Sequence, residues 1–285
     1  MESIIGTIQR MEVISTTTNG YLLLKGKTSA HLDREETLNE LEVGNNIEVF
    51  IYPDKTGKLC ASTKLPEITV ATYGWAEVVG IVKGLGAFVD IGTTKEMLVS
   101  MDELPLFESV WPNAGDRLYV TLTIDRKERL LGIPATEGVI QDIREWAPED
   151  YLGKTVKGYV YRTSKEGSAV ITDEDYRGFI HYSERKTEPR LGELVEGRVI
   201  EVKEDGTLNL SLRPLKQFSM DEDAAQILTH LEKHGGSIPF TDKSDPEDIR
   251  ATFHISKAAF KRALGKLMKT NQIKQENGRT YLVKE

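Results

Sequence analysis

Short runs in which apolar and polar residues alternate recur along the first three quarters of the chain. Arg117-Leu118-Tyr119-Val120-Thr121-Leu122 and Leu208-Asn209-Leu210-Ser211-Leu212 are clear examples. A period of two gives an extended segment one buried and one wet face, so each run predicts a strand. The runs fall into three sets with a common order. Each set opens on a strand near a glycine: Gly6-Thr7-Ile8, Glu77 to Val82, and Gly158 to Tyr161. A second glycine then starts an apolar strand: Gly20 to Leu24, Gly86 to Ile91, and Gly167 to Ile171. A third strand follows around Ala30-His31-Leu32, Met97-Leu98-Val99 and Gly178 to His181. The fourth strands centre on Ile47 to Ile51, Leu118 to Leu122 and Glu196 to Ile200, and the fifth on Lys58 to Ser62, Arg129 to Ile133 and Thr207 to Leu212. Five short strands per set, with glycines at the bends, suit a small closed barrel.

After Arg213-Pro214 the alternation stops. Phe218 to His234 predicts a helix with Ile227, Leu228 and Leu231 on one side, closed by Gly235-Gly236. A short strand, Ser237 to Phe240, follows. Asp245-Pro246 provides a cap and a first-position proline for a second helix, and Ser256 caps a third from Lys257 to about Thr270. Asn277-Gly278 is a hairpin signal between Ile273 to Glu276 and Thr280 to Val283. Helix, strand, two helices and a hairpin, in that order, describe a winged helix.

The fragments Gly86-Ala87-Phe88-Val89-Asp90-Ile91-Gly92, Gly178-Phe179-Ile180-His181-Tyr182-Ser183-Glu184 and Leu208-Asn209-Leu210-Ser211-Leu212-Arg213-Pro214 resemble pieces of the S1 RNA-binding domain, a five-stranded OB-type barrel. The expected fold is therefore mainly β with a C-terminal α+β domain: three tandem OB-fold, S1-like barrels followed by a winged helix. The expected domains are barrels over 1–65, 70–145 and 150–215, the first degenerate, and a winged helix over 219–285. As a whole the chain resembles the conserved virulence factor B family of bacterial RNA-binding proteins. That resemblance implies RNA binding and post-transcriptional influence on virulence gene expression.

Composition changes this picture in two ways. A net charge of −8 among 285 residues argues against coating by nucleic acid through bulk charge, so any polyanion contact must be local. Residues 219–285 carry a net of +1, which leaves −9 for residues 1–218. The single cysteine, Cys60, fits a reducing compartment. No apolar run is long enough to span a membrane, and the N-terminal stretch lacks the pattern of a signal peptide. The expected location is the cytoplasm, with no membrane partner.

Single-stranded nucleic acid needs rings for its bases and cations for its phosphates. Alternation in Ala87 to Ile91 turns Phe88 outward, either as a stacking platform or as packing against a neighbouring domain. The S1 resemblance implies stacking there, with an acidic and a basic residue near the last hairpin matched by Asp125 and Arg129. Leu85 and Ser100 depart from the pattern's second aromatic and its third-strand histidine. Set three keeps that histidine as His181, beside Tyr182, but has Ala169 and Thr207 in place of the phenylalanine and arginine. His181 reads equally as a structural hydrogen-bonding residue. Set one has Leu22 and Asp33 and retains only the cation, Lys58, beside Asp54.

On the third tail helix, about 100° per residue places Phe260, Leu264, Leu267 and Met268 in one core-facing arc. Arg262, Lys266 and Lys269 lie opposite, and Lys257, Lys261 and Lys274 add to them, with no acid between Ser256 and Gln275. Such a face is either solvated surface or a phosphate contact, and in a winged helix it can meet nucleic acid.

Nothing in the sequence points to catalysis. Histidines 31, 181, 230, 234 and 254 are scattered, and His230 and His234 lack the glutamate spacing of a zinc protease, so no metal is expected. Gly84-Leu85-Gly86 is not a dinucleotide fingerprint, no phosphate loop is present, and no cofactor is implied. The expectation is a non-catalytic RNA-binding regulator with single-stranded RNA as partner. Two alternatives stand beside it: a DNA-binding transcription regulator acting through the winged helix, and an interaction scaffold on the ribosome or an RNA-processing complex.

Overall fold

In the computed structural model the described residues are 3–37, 39–214 and 216–283, with side chains described throughout except over 216–221. Among them, strands form three closed five-stranded barrels and one small sheet. Barrel 1 comprises β1 (Ile8–Thr17), β2 (Gly20–Lys25), β3 (Thr28–Asp33), β4 (Asn46–Pro53) and β5 (Leu59–Ser62). Barrel 2 comprises β6 (Gly74–Val82), β7 (Gly86–Asp90), β8 (Met97–Ser100), β9 (Arg117–Ile124) and β10 (Leu130–Pro134). A short helix, α1 (Glu137–Ile143), precedes barrel 3, made of β11 (Thr155–Thr163), β12 (Gly167–Thr172), β13 (Arg177–His181), β14 (Leu194–Val202) and β15 (Leu208–Ser211).

The three barrels close alike. The first strand pairs with the second and fourth, the second with the third and the fourth with the fifth, all antiparallel. A parallel pairing of the third strand with the fifth completes the ring. Each first strand carries a register shift, at Val13/Ser15, Val78/Gly80 and Val160/Arg162, the kind of bulge that lets a strand bend around a small barrel. The glycine that opens each second strand has a common cause. A Cβ on Gly20, Gly86 or Gly167 would lie 2.0, 2.1 or 2.2 Å from the carbonyl oxygen of Leu32, Val99 or Ile180 on the third strand.

Inward residues of each barrel supply its core: Val13, Leu23 and Ile51 in the first, Val78, Val89 and Val120 in the second, Val160, Val170 and Leu210 in the third. Two strands are buried on both faces. On β4, Phe50 points away from its own core and joins the cluster of barrel 2. Every residue of β12 is buried. Barrel 2 is bound to barrel 3 by Trp75, whose ring lies 5.1 Å from Tyr119 and 5.0 Å from Tyr159, and by Arg190, which reaches Asp116 through two nitrogens at 3.1 Å each. Residues 1–212 form one compact unit.

The second unit, residues 213–285, contains α2 (Lys216–Lys233), β16 (Ser237–Ile238), α3 (Pro246–Phe253), α4 (Lys257–Lys269), β17 (Ile273–Glu276) and β18 (Arg279–Leu282). The sheet order β16-β18-β17 and the three helices make a winged helix. Asp245 and Ser256 cap α3 and α4 by accepting from the N–H groups of Glu247 and Ala259, as their positions predict. The expected strand to Phe240 stops at Ile238. The side chain of Phe218, where the sequence starts the first helix, lies outside the described residues. Phe253, Phe260, Leu264 and Leu267 are buried in the core. Met268 is not: it is 39% exposed, and Ala263, fully buried, occupies the core instead. Met268 sits at the rim of the apolar arc, where packing and not angle decides burial.

Candidate nucleic-acid interface

The outer face of barrel 2 is assembled from three adjacent strands. Phe88 on β7 lies opposite Leu98 on β8, and Leu98 opposite Leu131 on β10. Ala87 and Val89 point into the core, so Phe88 faces out, half-buried and apart from the core cluster. Leu85 is exposed nearby. The β9–β10 turn supplies charge. The Asp125 carboxylate accepts from the backbone N–H groups of Lys127 at 2.8 Å and Arg129 at 2.9 Å. The Arg129 guanidinium returns to the same carboxylate at 2.8 and 2.7 Å. The backbone hydrogen bond from Arg129 is the largest influence on Asp125. With the other donors it outweighs the slight burial and holds the carboxyl below its usual range. Asp125 is thus a bracket that fixes Arg129, with Arg126 and Lys127 beside it in the same turn.

Barrel 1 places Leu22, His31 and Cys60 where barrel 2 has Phe88, Leu98 and Leu131. Its β4–β5 turn repeats the bracket: Asp54 accepts from the N–H groups of Thr56 and Lys58, and the Lys58 side chain is exposed. A cation is present there, and the ring of its outward triplet is the His31 imidazole on the third strand in place of a phenylalanine on the second.

Barrel 3 differs in two respects from what the S1 resemblance implies. First, the outward triplet is Ala169, Phe179 and Asn209. The ring absent from the second strand stands opposite it on the third, two residues before His181 and on the same face. Alternation in Gly178-Phe179-Ile180-His181 carries that signal. Second, the segment from barrel 2 runs across this face. Ile140 on α1 is fully buried with Ala169, Ile171 and Tyr161. Glu137 accepts from Tyr161 at 2.9 Å and from Arg177 at 2.7 Å, with Arg162 at 3.5 Å. Arg144 donates to the Asp205 carbonyl at 2.9 Å and to the Thr207 hydroxyl at 3.2 Å. Ala169 and Thr207 are small because the linker covers them. The uninterrupted apolar run Ala169-Val170-Ile171 is the sequence clue to this, since a strand buried on both faces loses its alternation.

His181 and Tyr182 lie beyond the linker's reach and are exposed, their rings 4.3 Å apart. His181 caps the short 3-10 helix Tyr182–Glu184, with Nδ1 accepting from the Ser183 N–H at 3.3 Å and 2.7 Å from its hydroxyl. Ser100 caps the equivalent turn in barrel 2 and Asp33 occupies the same position in barrel 1. The hydrogen-bonding role that is one of the two readings of His181 is therefore present, on a ring that still faces solvent.

In the winged helix, Lys261, Arg262 and Lys269 are exposed on α4 and enter no ion pair among the described residues. Lys266 is half-buried. Lys257 donates to the Lys243 carbonyl at 3.5 Å, and Lys274 lies 3.3 Å from Glu276. Of the six predicted cations, Lys261, Arg262 and Lys269 thus point outward, while Lys257 and Lys274 have local contacts. At the C-terminal end of α2, His230 and, just beyond the helix, His234 stack ring on ring at 4.1 Å, and Nδ1 of His234 meets the His230 carbonyl at 2.8 Å. Among the described residues no three His, Cys, Asp or Glu side chains come together as a metal site, and no helix is long and apolar enough to cross a membrane.

Tandem OB-type barrels followed by a winged helix define a class of protein built from nucleic-acid-binding folds. Residues 5–64 match the S1 domain, 73–133 the CvfB first S1-like domain, 140–214 the second domain of virulence regulatory factor CvfB, and 225–282 the CvfB-like winged helix domain. The 140–214 match begins inside α1, in keeping with the packing of that helix on barrel 3. The chain is 38% identical to conserved virulence factor B of Staphylococcus aureus, over 100% of this chain and 96% of the relative. It is 49% identical to an uncharacterized protein, YitL, of Bacillus subtilis, over 92% of this chain and 88% of the relative. A crystal structure of a multidomain protein with nucleic acid binding domains from Streptococcus pneumoniae superposes with a TM-score of 0.68 at 39% identity, covering 99% of this chain and 100% of that one. The chain belongs to the conserved virulence factor B family.

Proposed function

We propose that the protein is a non-catalytic RNA-binding regulator that holds single-stranded RNA on its barrels, gains phosphate contacts from α4, and controls gene expression after transcription, virulence factors included. The observation that carries this reading is the outward ring of Phe88 on the same barrel as the bracketed Arg129. Base stacking on a ring and phosphate contact with a fixed guanidinium are the two interactions that sequence-tolerant single-strand binding uses. Lys58 on barrel 1 and Phe179, His181 and Tyr182 on barrel 3 supply weaker, incomplete sets. Linked sites of this kind reach useful affinity by raising one another's effective concentration.

Lys261, Arg262 and Lys269 favour a second reading, in which α4 enters the groove of a DNA duplex and the barrels act as interaction modules. Titrating the full chain with labelled oligo-U and with a DNA duplex across a salt series separates the two. Tighter binding of oligo-U supports the RNA reading, and tighter binding of duplex replaces it. Binding of neither at low salt leaves a protein partner, on the ribosome or an RNA-processing complex.

A further inference from the structure

Barrels 2 and 3 enclose a cleft that none of the predicted site residues lines. It consists of two pockets of about 260 and 270 Å3 that share Pro105 and Thr163. One wall of the larger is the loop between β8 and β9, with Leu106 89% and Phe107 65% exposed. The other is the β11–β12 turn, Thr163-Ser164-Lys165. Lys165 is exposed and enters no ion pair among the described residues, whereas Arg185 at the cleft lies 2.9 Å from Glu188.

The cleft adjoins both predicted sites. On the barrel 2 side, the Met101 N–H donates to the Leu85 carbonyl at 2.9 Å, and Lys83 in the β6–β7 turn lies 3.2 Å from Glu108, next to Phe107. On the barrel 3 side, the Tyr182 N–H donates to the carbonyl of Glu166 at 3.0 Å, next to Lys165. The linker lies over the central part of the barrel 3 face, at Ala169 and Thr207. Leu85 and Tyr182 are thus hydrogen-bonded to Met101 and Glu166, which lie close in sequence to the cleft-lining Glu103 and Lys165.

We infer that this cleft is a nucleotide subsite, in which Phe107 stacks one base of a single RNA strand and Lys165 meets its phosphate, joining barrels 2 and 3 into one track. The inference rests on the RNA reading above. At about 270 Å3 the pocket is smaller than the roughly 300–1,000 Å3 of drug-sized sites and suits one base. One aromatic wall and one cation outside any ion pair are what such a base and its phosphate require.

The test uses the full chain and two oligo-U probes, one of about four nucleotides, the size served by a single OB-type barrel, and one of about twelve. F107A is expected to weaken the longer probe by at least about fivefold, the lower end of what one stacking ring contributes, and to leave the shorter within about twofold. Phe107→Leu, which keeps the apolar bulk and removes the ring, should behave as F107A, and K165Q should weaken the longer probe alone. Unchanged binding of the longer probe by F107A, with F88A weakening both, overturns the subsite and leaves the RNA reading standing; the exposed Leu106–Phe107 surface then belongs to a protein partner. Equal loss on both probes also overturns it, because Phe107 would then belong to the barrel 2 site. A wild-type chain that binds neither probe removes both readings.

Discussion

Glu137 on α1 and Arg177 on β13 lie 2.7 Å apart, and this ion pair pins the linker to barrel 3. Burial alone would raise the Glu137 pKa. Hydrogen bonds from Arg177, Gln141 and Tyr161 outweigh it, and the carboxyl is held below its usual range. A carboxylate whose folded pKa is lowered stabilises the fold fully above its unfolded value, about 4.3, and the contribution fades as pH falls through the folded value. E137Q should therefore cost about 1.5–3 kcal/mol at neutral pH, the scale of hydrogen bonds to a charged group. Urea denaturation at neutral pH and again below about pH 4 checks this, since the gap between E137Q and wild type should narrow on acidification.

Restoring the ring that the S1 pattern places on the second strand of barrel 3 should harm the protein. Ala169 is 1% exposed beneath Ile140, with Tyr161 and Ile171 alongside. Ala169→Phe would overfill that space and cost about 1–3 kcal/mol of stability, or displace α1. Its thermal midpoint should fall, and its affinity for oligo-U should not improve. A stable variant with tighter RNA binding would show that the linker does not occlude this face.

Phe88→Ala removes an outward ring and leaves the barrel core intact. Affinity for oligo-U should fall by about 1–3 kcal/mol, the cost of losing one stacking platform. The midpoint of unfolding should change little. Loss of stability with unchanged affinity would assign Phe88 to packing.

The barrels are legible in the sequence because each inward position is set by a local period of two, repeated three times, and because the glycines of the second strands answer to one close backbone approach. Phe88 is legible for the same reason, lying between inward Ala87 and Val89. What escapes depends on contacts between elements. The helix Glu137–Ile143 is too short to form on its own propensity, and Ile140 and Glu137 hold it through partners in barrel 3. Phe179 sits across a strand pair from the position the S1 pattern marks, and only the register of β12 against β13 brings the two together. Phe107 lies in a loop with no period at all.

The outward cations of α4 make the last prediction. Lys261 and Arg262 are exposed in the turn that follows Phe260; about 100° per residue puts Arg262 opposite the core formed by Phe260, Ala263 and Leu264, and Lys261 on its flank. Reversing both to Glu changes charge without touching that core, so the winged helix should keep its fold. If the two side chains meet phosphates of a single strand, the slope of log affinity against log salt should flatten by about 0.7 for each phosphate they no longer neutralise. If they meet duplex DNA, the flattening should be about 0.9 per phosphate and should appear with duplex instead of oligo-U. Weaker binding at one salt concentration would not distinguish direct phosphate neutralisation from a change in net charge, whereas the slope counts the phosphates neutralised. An unaltered slope with both probes would place α4 outside the nucleic-acid surface and leave the barrels to bind alone.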